Sequence, residues 1–200
     1  TERARRYSDV LRVAFQGLRA GNPSAVVVFG GPAQTDDDFI RACYEFGVQP
    51  YFDIMALHPY QGDQAKPPES TDITSKARVT NFPKVAAVMA EYGDSSKPVW
   101  WTEFGYSVHS NAGIPDSQPW QHGVPDAATS ADYLRRQFEL ARSRYPQVTV
   151  AIVYAAYKQP SDSLGHQFGY RLMEADGSVL PQLPAIRDYL NGHPGQRAIW

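Results

Sequence analysis

One cysteine, Cys43, stands in the whole 200-residue chain, so no disulfide framework and no cysteine-based zinc site can be built within one copy. Its apolar, helix-like surroundings suit a small core residue. No apolar run is long enough to span a bilayer, and no signal-peptide pattern opens the sequence. Blocks of one charge sign are missing too: the formal net charge is -2, and basic residues cluster only from Arg3 to Arg6. Neither nucleic acid nor an anionic membrane is an expected partner of such a chain. A Gly-rich phosphate turn after an early strand is also lacking, because Gly30-Gly31-Pro32 has the wrong spacing and its proline has no backbone donor. His109, His122, His166 and His193 lie in loops without ligand spacing, so no metal site is expected, and no organic cofactor is signalled either.

What is present is ample core material: 42% hydrophobic and 12% aromatic residues suffice for one compact unit. Apolar residues at helical spacing predict a helix over 7–20, with Tyr7, Val10, Leu11, Ala14, Phe15 and Leu18 on one face, stopped by Gly21-Asn22-Pro23. A strand over 25–29 follows. Thr35-Asp36-Asp37-Asp38 opens a second helix through Phe46, its carboxylates offsetting the positive helix end rather than binding metal. Further strands are expected over 52–57, 99–103 and 148–154, and further helices over 77–91, 130–144 and 183–190. Polar, Pro-rich residues 61–74 and the irregular stretch 107–128 read as loops. Nearly continuous apolar strands separated by helices imply a parallel sheet covered by helices.

Chemistry gathers where these strands end. Lys97-Pro98-Val99-Trp100-Trp101-Thr102-Glu103-Phe104-Gly105-Tyr106 is a short apolar strand that finishes on a carboxylate, and an acid there has little structural use. On a barrel the carboxyl ends of parallel strands share one mouth. His58, Tyr60, Glu103, Tyr106, Tyr154 and Tyr157 would meet at it. Three of the four strand exits carry such residues; the exit after 25–29 offers only Gly30-Gly31-Pro32. An acid among aromatics suits sugar chemistry, since a carboxylate can trap an oxocarbenium-like centre while aromatic rings hold sugar faces. By strand alternation Trp101 shares the inward face of Glu103, where it either approaches a sugar or packs the interior, and Trp100 faces the helices. Trp120, in the long loop, either stacks on substrate or pins its loop.

The segment from Lys97 to Gly105 resembles the seventh-strand motif of the clan of retaining glycoside hydrolases built on the (β/α)8 TIM barrel, which includes cellulase-like and β-xylosidase-like families. Asn22-Pro23-Ser24-Ala25-Val26-Val27-Val28-Phe29-Gly30-Gly31 is similar to the fifth-strand segment, and Phe52-Asp53-Ile54-Met55-Ala56-Leu57-His58-Pro59-Tyr60 to the sixth. Phe168-Gly169-Tyr170, with Asp176-Gly177 and Pro181, is similar to the stretch after the eighth. The resemblance implies an α/β fold in which residues 1–200 supply strands 5 to 8, the C-terminal half of a barrel. It implies hydrolysis of O-glycosidic bonds in a polysaccharide or oligosaccharide, with Glu103 as nucleophile, Tyr60 donating to it, and His58, Tyr60, Tyr106, Tyr154 and Trp120 around the sugar. It also implies an extracellular protein.

Two departures stand out. The tryptophan usual at the eighth-strand exit is replaced by Val153-Tyr154-Ala155-Ala156-Tyr157, leaving Tyr154 as the substitute. The acid/base glutamate of the family falls upstream of Thr1; Glu2 is too close to the first helix, Asp53 lies inside its strand and Asp162 in a loop. The expected partners are therefore a carbohydrate and either a missing N-terminal half-barrel or another copy of the chain. The alternative is a catalytically inactive barrel relative that binds carbohydrate or a protein; a flavodoxin-like domain ranks behind both.

Overall fold

Three parallel strands lie side by side in chain order: β1 (Met55–Leu57), β2 (Val99–Phe104) and β3 (Val148–Val153). The computed structural model describes residues 1–73, 76, 78–157 and 165–193. Thr74, Ala77 and Asp162, each named in the expected loops and helices, lie outside them. Residues 25–29 run beside β1 as the sequence pattern requires, but they form only one parallel bridge, Val28 to Ile54, rather than a strand. The reason is local: the Val27 N–H donates to the Asp53 carboxylate at 2.7 Å instead of to a backbone carbonyl, and the Gly30-Gly31-Pro32 turn ends the pairing that Phe29 begins with Ile54 (2.8 Å).

The helices are α1 (Glu2–Gly21), α2 (Asp37–Glu45), α3 (Phe82–Glu91), α4 (Ala127–Arg144), the single turn α5 (Gly165–Phe168) and α6 (Gln182–Asn191). Asp36 caps α2, its carboxylate accepting from Phe39 N–H at 3.0 Å. The acidic triplet thus serves the helix end, as expected. Helix α3 begins later than the apolar spacing suggests because Pro83 fits only a first turn, and a 3-10 turn, Val79–Asn81, precedes it. α1 buries Ala4, Ser8 and Leu11, whereas Val10 and Leu18 of the expected apolar face are exposed.

All the helices of the core lie on one face of the sheet. Met55, Leu57, Val99, Trp101 and Phe104 point there and join Phe82, Val85, Val88 and Leu134 in a single cluster. The other face is partly uncovered: Val26 is 62% and Ile152 45% exposed, although Ala56 of β1 is buried. Sequential strand order with helices on one face is the winding of a barrel. A doubly wound sheet would reverse its order at a switch point and carry helices on both faces.

Trp101 departs from simple alternation. Trp101 pairs with Ala151 and Phe104 with Val153, so β2 sets two residues, Thr102 and Glu103, against one on β3. This β-bulge shifts the alternation by one residue. Trp101 is therefore fully buried among Phe82, Phe104 and Tyr145 on the helix side, and the half-buried Trp100 takes the inner face, the reverse of the expectation.

Candidate active site

The bulge delivers Glu103 to a cavity of about 270 Å³ at the carboxyl ends of the strands. Its floor and walls come from every exit: Gln34 after the first extended stretch, Tyr60 after β1, Glu103 from β2, Tyr154 after β3. Two glycines permit the approach. A side chain on Gly105 would place its first carbon 2.5 Å from the Tyr154 carbonyl and 2.9 Å from the Tyr170 ring. One on Gly31 would meet the His58 imidazole at 2.6 Å. Backbone crowding of this kind leaves room for hydrogen alone.

One oxygen of Glu103 is held and the other is open. The Tyr60 hydroxyl donates to Oε2 at 3.2 Å, and His58 Nδ1 lies 3.7 Å from the same oxygen. No described residue bonds Oε1, and the side chain is 40% exposed. Burial, and then the Glu103 charge, push the Tyr60 hydroxyl above the usual tyrosine range. Tyr60 therefore stays protonated and remains a donor. Its ring meets Tyr154 and Tyr170 edge-on at 6.3 and 5.8 Å, and those two meet each other at 5.5 Å. The three rings form a rigid wall. Tyr154 also donates to Gln167 Oε1 at 3.3 Å, and the peptide bond between Tyr154 and Ala155 is cis.

Trp120, which lines the same cavity, sits on a 3-10 turn, Pro119–Gln121. Its ring is set edge-on to His166 at 5.5 Å and remains 49% exposed. His109 Nε2 lies 2.8 Å from the Gln121 carbonyl and His122 Nδ1 lies 3.3 Å from Asp63, which fastens the turn on both sides.

Of the residues expected to meet, Glu103, Tyr60, Tyr154 and Trp120 line one cavity, and His58 borders it through Glu103. Tyr106 does not reach it. That ring is buried behind β2, its hydroxyl donating to Gln137 at 2.7 Å and its face set against Tyr133, so a part in sugar contact is corrected to a part in the core. Tyr157 is 40% exposed and lies away from the lining. Sequence reasoning did not single out Gln34, Gln64, Gln167 or His166, which also line the space. Only Gln34 left a signal, as the first polar side chain past the exit that looked empty.

No protein-family model and no curated protein matches the sequence. Solved structures do match in fold. A glucosidase from Croceicoccus marinus superposes with a TM-score of 0.63 at 16% identity, over 91% of this chain and 35% of its own. A GH39 enzyme from Xanthomonas axonopodis pv. citri gives 0.64 at 18%, over 95% and 37%. A GH113 β-1,4-mannanase gives 0.58 at 18%, over 95% and 53%. The chain thus spans between about a third and about half of the length of these neighbours. Its fold is an α/β fold matching part of the barrel of glycoside hydrolases.

Proposed function

We propose that this chain carries the nucleophile side of a retaining glycoside hydrolase acting on a polysaccharide or oligosaccharide, with Glu103 as the nucleophile. The observation that carries this is the asymmetry of its carboxylate: Oε2 is aimed by the Tyr60 hydroxyl, while Oε1 has no partner among the described residues and the side chain lines the cavity. A fixed and half-open carboxylate beside aromatic rings is what attack on an anomeric carbon needs. Glycoside hydrolases as the fold's neighbours support the same reaction class.

A retaining mechanism needs a second carboxyl group about 5 Å from the first. No other acid among the described residues lines the cavity. The proposal therefore takes the acid/base from outside these residues, on a covering half-barrel that seats on the inner face where Val26 and Ile152 are exposed, whether borne by the same polypeptide or by another copy. The single-acid lining also favours a second reading, a carbohydrate-binding barrel relative without turnover. Incubation with 2-deoxy-2-fluoro glycosides, followed by peptide mass spectrometry, separates the two. A covalent sugar on Glu103 is expected. Sugar binding with no adduct across glucoside, xyloside and mannoside probes would favour the silent relative.

A further inference from the structure

Four glutamines line the cavity, and three of them are already occupied by the protein. Gln61 donates to the Pro67 carbonyl at 2.6 Å and accepts from Val79 N–H at 2.9 Å. Gln64 donates to the Tyr170 hydroxyl and accepts from Ser107 N–H at 3.2 Å. Gln167 accepts from Tyr154 at 3.3 Å, and its Nε2 lies 3.0 Å from His166 Nε2. These amides brace the walls. Gln34 differs, since no described residue donates to or accepts from its side chain, although it borders the same space as Glu103.

Its backbone is exceptional as well. Among the described residues Gln34 is the only non-glycine with a positive φ, +68°. A left-handed conformation is disfavoured for a residue with a Cβ, and glycine would adopt it freely. The surroundings enforce it. Gln34 N–H donates to the His58 carbonyl at 2.8 Å, and the next residue, Thr35, is fully buried with its hydroxyl against the Lys76 and Arg78 carbonyls at 2.7 and 2.9 Å. Strain held by tethers on both sides, at a side chain without a hydrogen-bond partner among the described residues, points to a ligand.

We propose that Gln34 is a specificity-determining residue whose amide donates to and accepts from hydroxyls of a neutral pyranoside seated beside Glu103. This rests on the hydrolase reading of Glu103. Neutrality is read from the lining among the described residues, in which Glu103 is the only carboxylate and no arginine or lysine stands. On this side of the site a uronate would meet a carboxylate with no arginine or lysine among the described lining residues to receive it. Burial also holds His166 below the usual histidine range, which keeps it uncharged near neutral pH.

The test compares the full protein with Gln34→Gly and Gln34→Asn on 4-nitrophenyl β-glucoside, β-xyloside, β-mannoside and β-glucuronide. Glycine fits the +68° backbone, so Gln34→Gly is expected to fold and to raise the melting temperature by about 2–4 °C. The same variant is expected to lose roughly 10- to 100-fold in kcat/KM on the best neutral glycoside and to blur the ranking of the neutral sugars. Asparagine tolerates the conformation but is one methylene short; it should keep the melting temperature and still lose affinity. Unchanged kcat/KM and ranking in Gln34→Gly would overturn the proposal, as would the glucuronide proving the best wild-type substrate. If the wild type turns over no glycoside, the hydrolase reading fails separately. Saturation-transfer NMR with methyl β-glucoside, β-xyloside and β-mannoside then decides for Gln34: a signal lost in Gln34→Gly supports it, and a signal retained, or none in the wild type, overturns it.

Discussion

The two ends of the sheet treat their carboxylates in opposite ways. At the amino-terminal end of the strands, Asp53 receives an Arg19 guanidinium nitrogen at 2.8 and 2.9 Å and the Val27 N–H at 2.7 Å. Asp94, 4% exposed, accepts from the Tyr44 hydroxyl at 2.8 Å and pairs with the Lys97 ammonium at 2.9 Å. At the carboxyl-terminal end Glu103 has a phenol and an imidazole within 4 Å and no arginine or lysine among the described residues. Neutralised acids fasten helices to strand entrances; the unneutralised one is left with unspent electrostatic reach. An acid bonded on all sides is part of the scaffold, and an acid with one oxygen open is available to a reactant.

Substitutions at the two ends should therefore have opposite signatures. Glu103→Gln is expected to lower kcat on an activated glycoside by about 10⁴-fold or more while leaving the urea midpoint unchanged. Next in size, Asp94→Ala should remove roughly 3 kcal/mol of stability in urea titration, because it strands the Lys97 ammonium beside a buried site. Its kcat should stay near wild type. A Glu103 variant that unfolds early, or an Asp94 variant that loses turnover while folded, would break the comparison.

Gly105→Ala probes the link between the ends of β2 and β3. Its Cβ meets a backbone carbonyl, which cannot swing away, so Tyr154 and Glu103 must part. A displacement of about 1 Å would cost on the order of 10²-fold in kcat/KM, with a smaller loss in melting temperature. Equal activity in the alanine variant would show that the wall need not touch the acid strand. The smallest effect is with pH. His166 is 7% exposed and its imidazole is held below 6.5 by burial and then by the nearby His109. The unfolded chain takes up a proton first, so stability should fall as pH drops through 6.5 and level off only when the folded imidazole titrates. Thermal unfolding of His166→Asn against pH should give a flatter slope there than wild type.

Much of the architecture was legible in the chain. The periodicity of 130–144 and 183–190, which fall inside the observed α4 and α6, the Asp36 cap and the apolar runs of β1 to β3 each state their own structure locally. Glu103, His58 and Tyr60 could be named because each sits at the end of such a run. What was hidden needed a partner strand to see. Alternation counted within β2 alone assigns Trp101 to the inner face, and only the register against β3 exposes the extra residue. Tyr106 lies past the end of β2, buried with its hydroxyl on Gln137, a contact its own segment does not announce. The glutamines were hard to see for another reason: Gln64 and Gln167 carry no periodicity, Gln34 is marked only by following a strand exit, and the cavity brings together residues more than a hundred positions apart.

The bulge at Thr102 and Glu103 has a corollary for how this strand can change. The aim of the acid depends on a count of residues between Trp101 and Phe104, so substitutions there are graded while a single-residue deletion is all or none. It would rotate the carboxylate into the helices or tear Phe104 from them. Residues 107–126, which lie wholly between β2 and α4, can lengthen or shorten without touching that count. Length variation and chemical variation are thus partitioned along one continuous stretch of chain, with the boundary beyond Gly105.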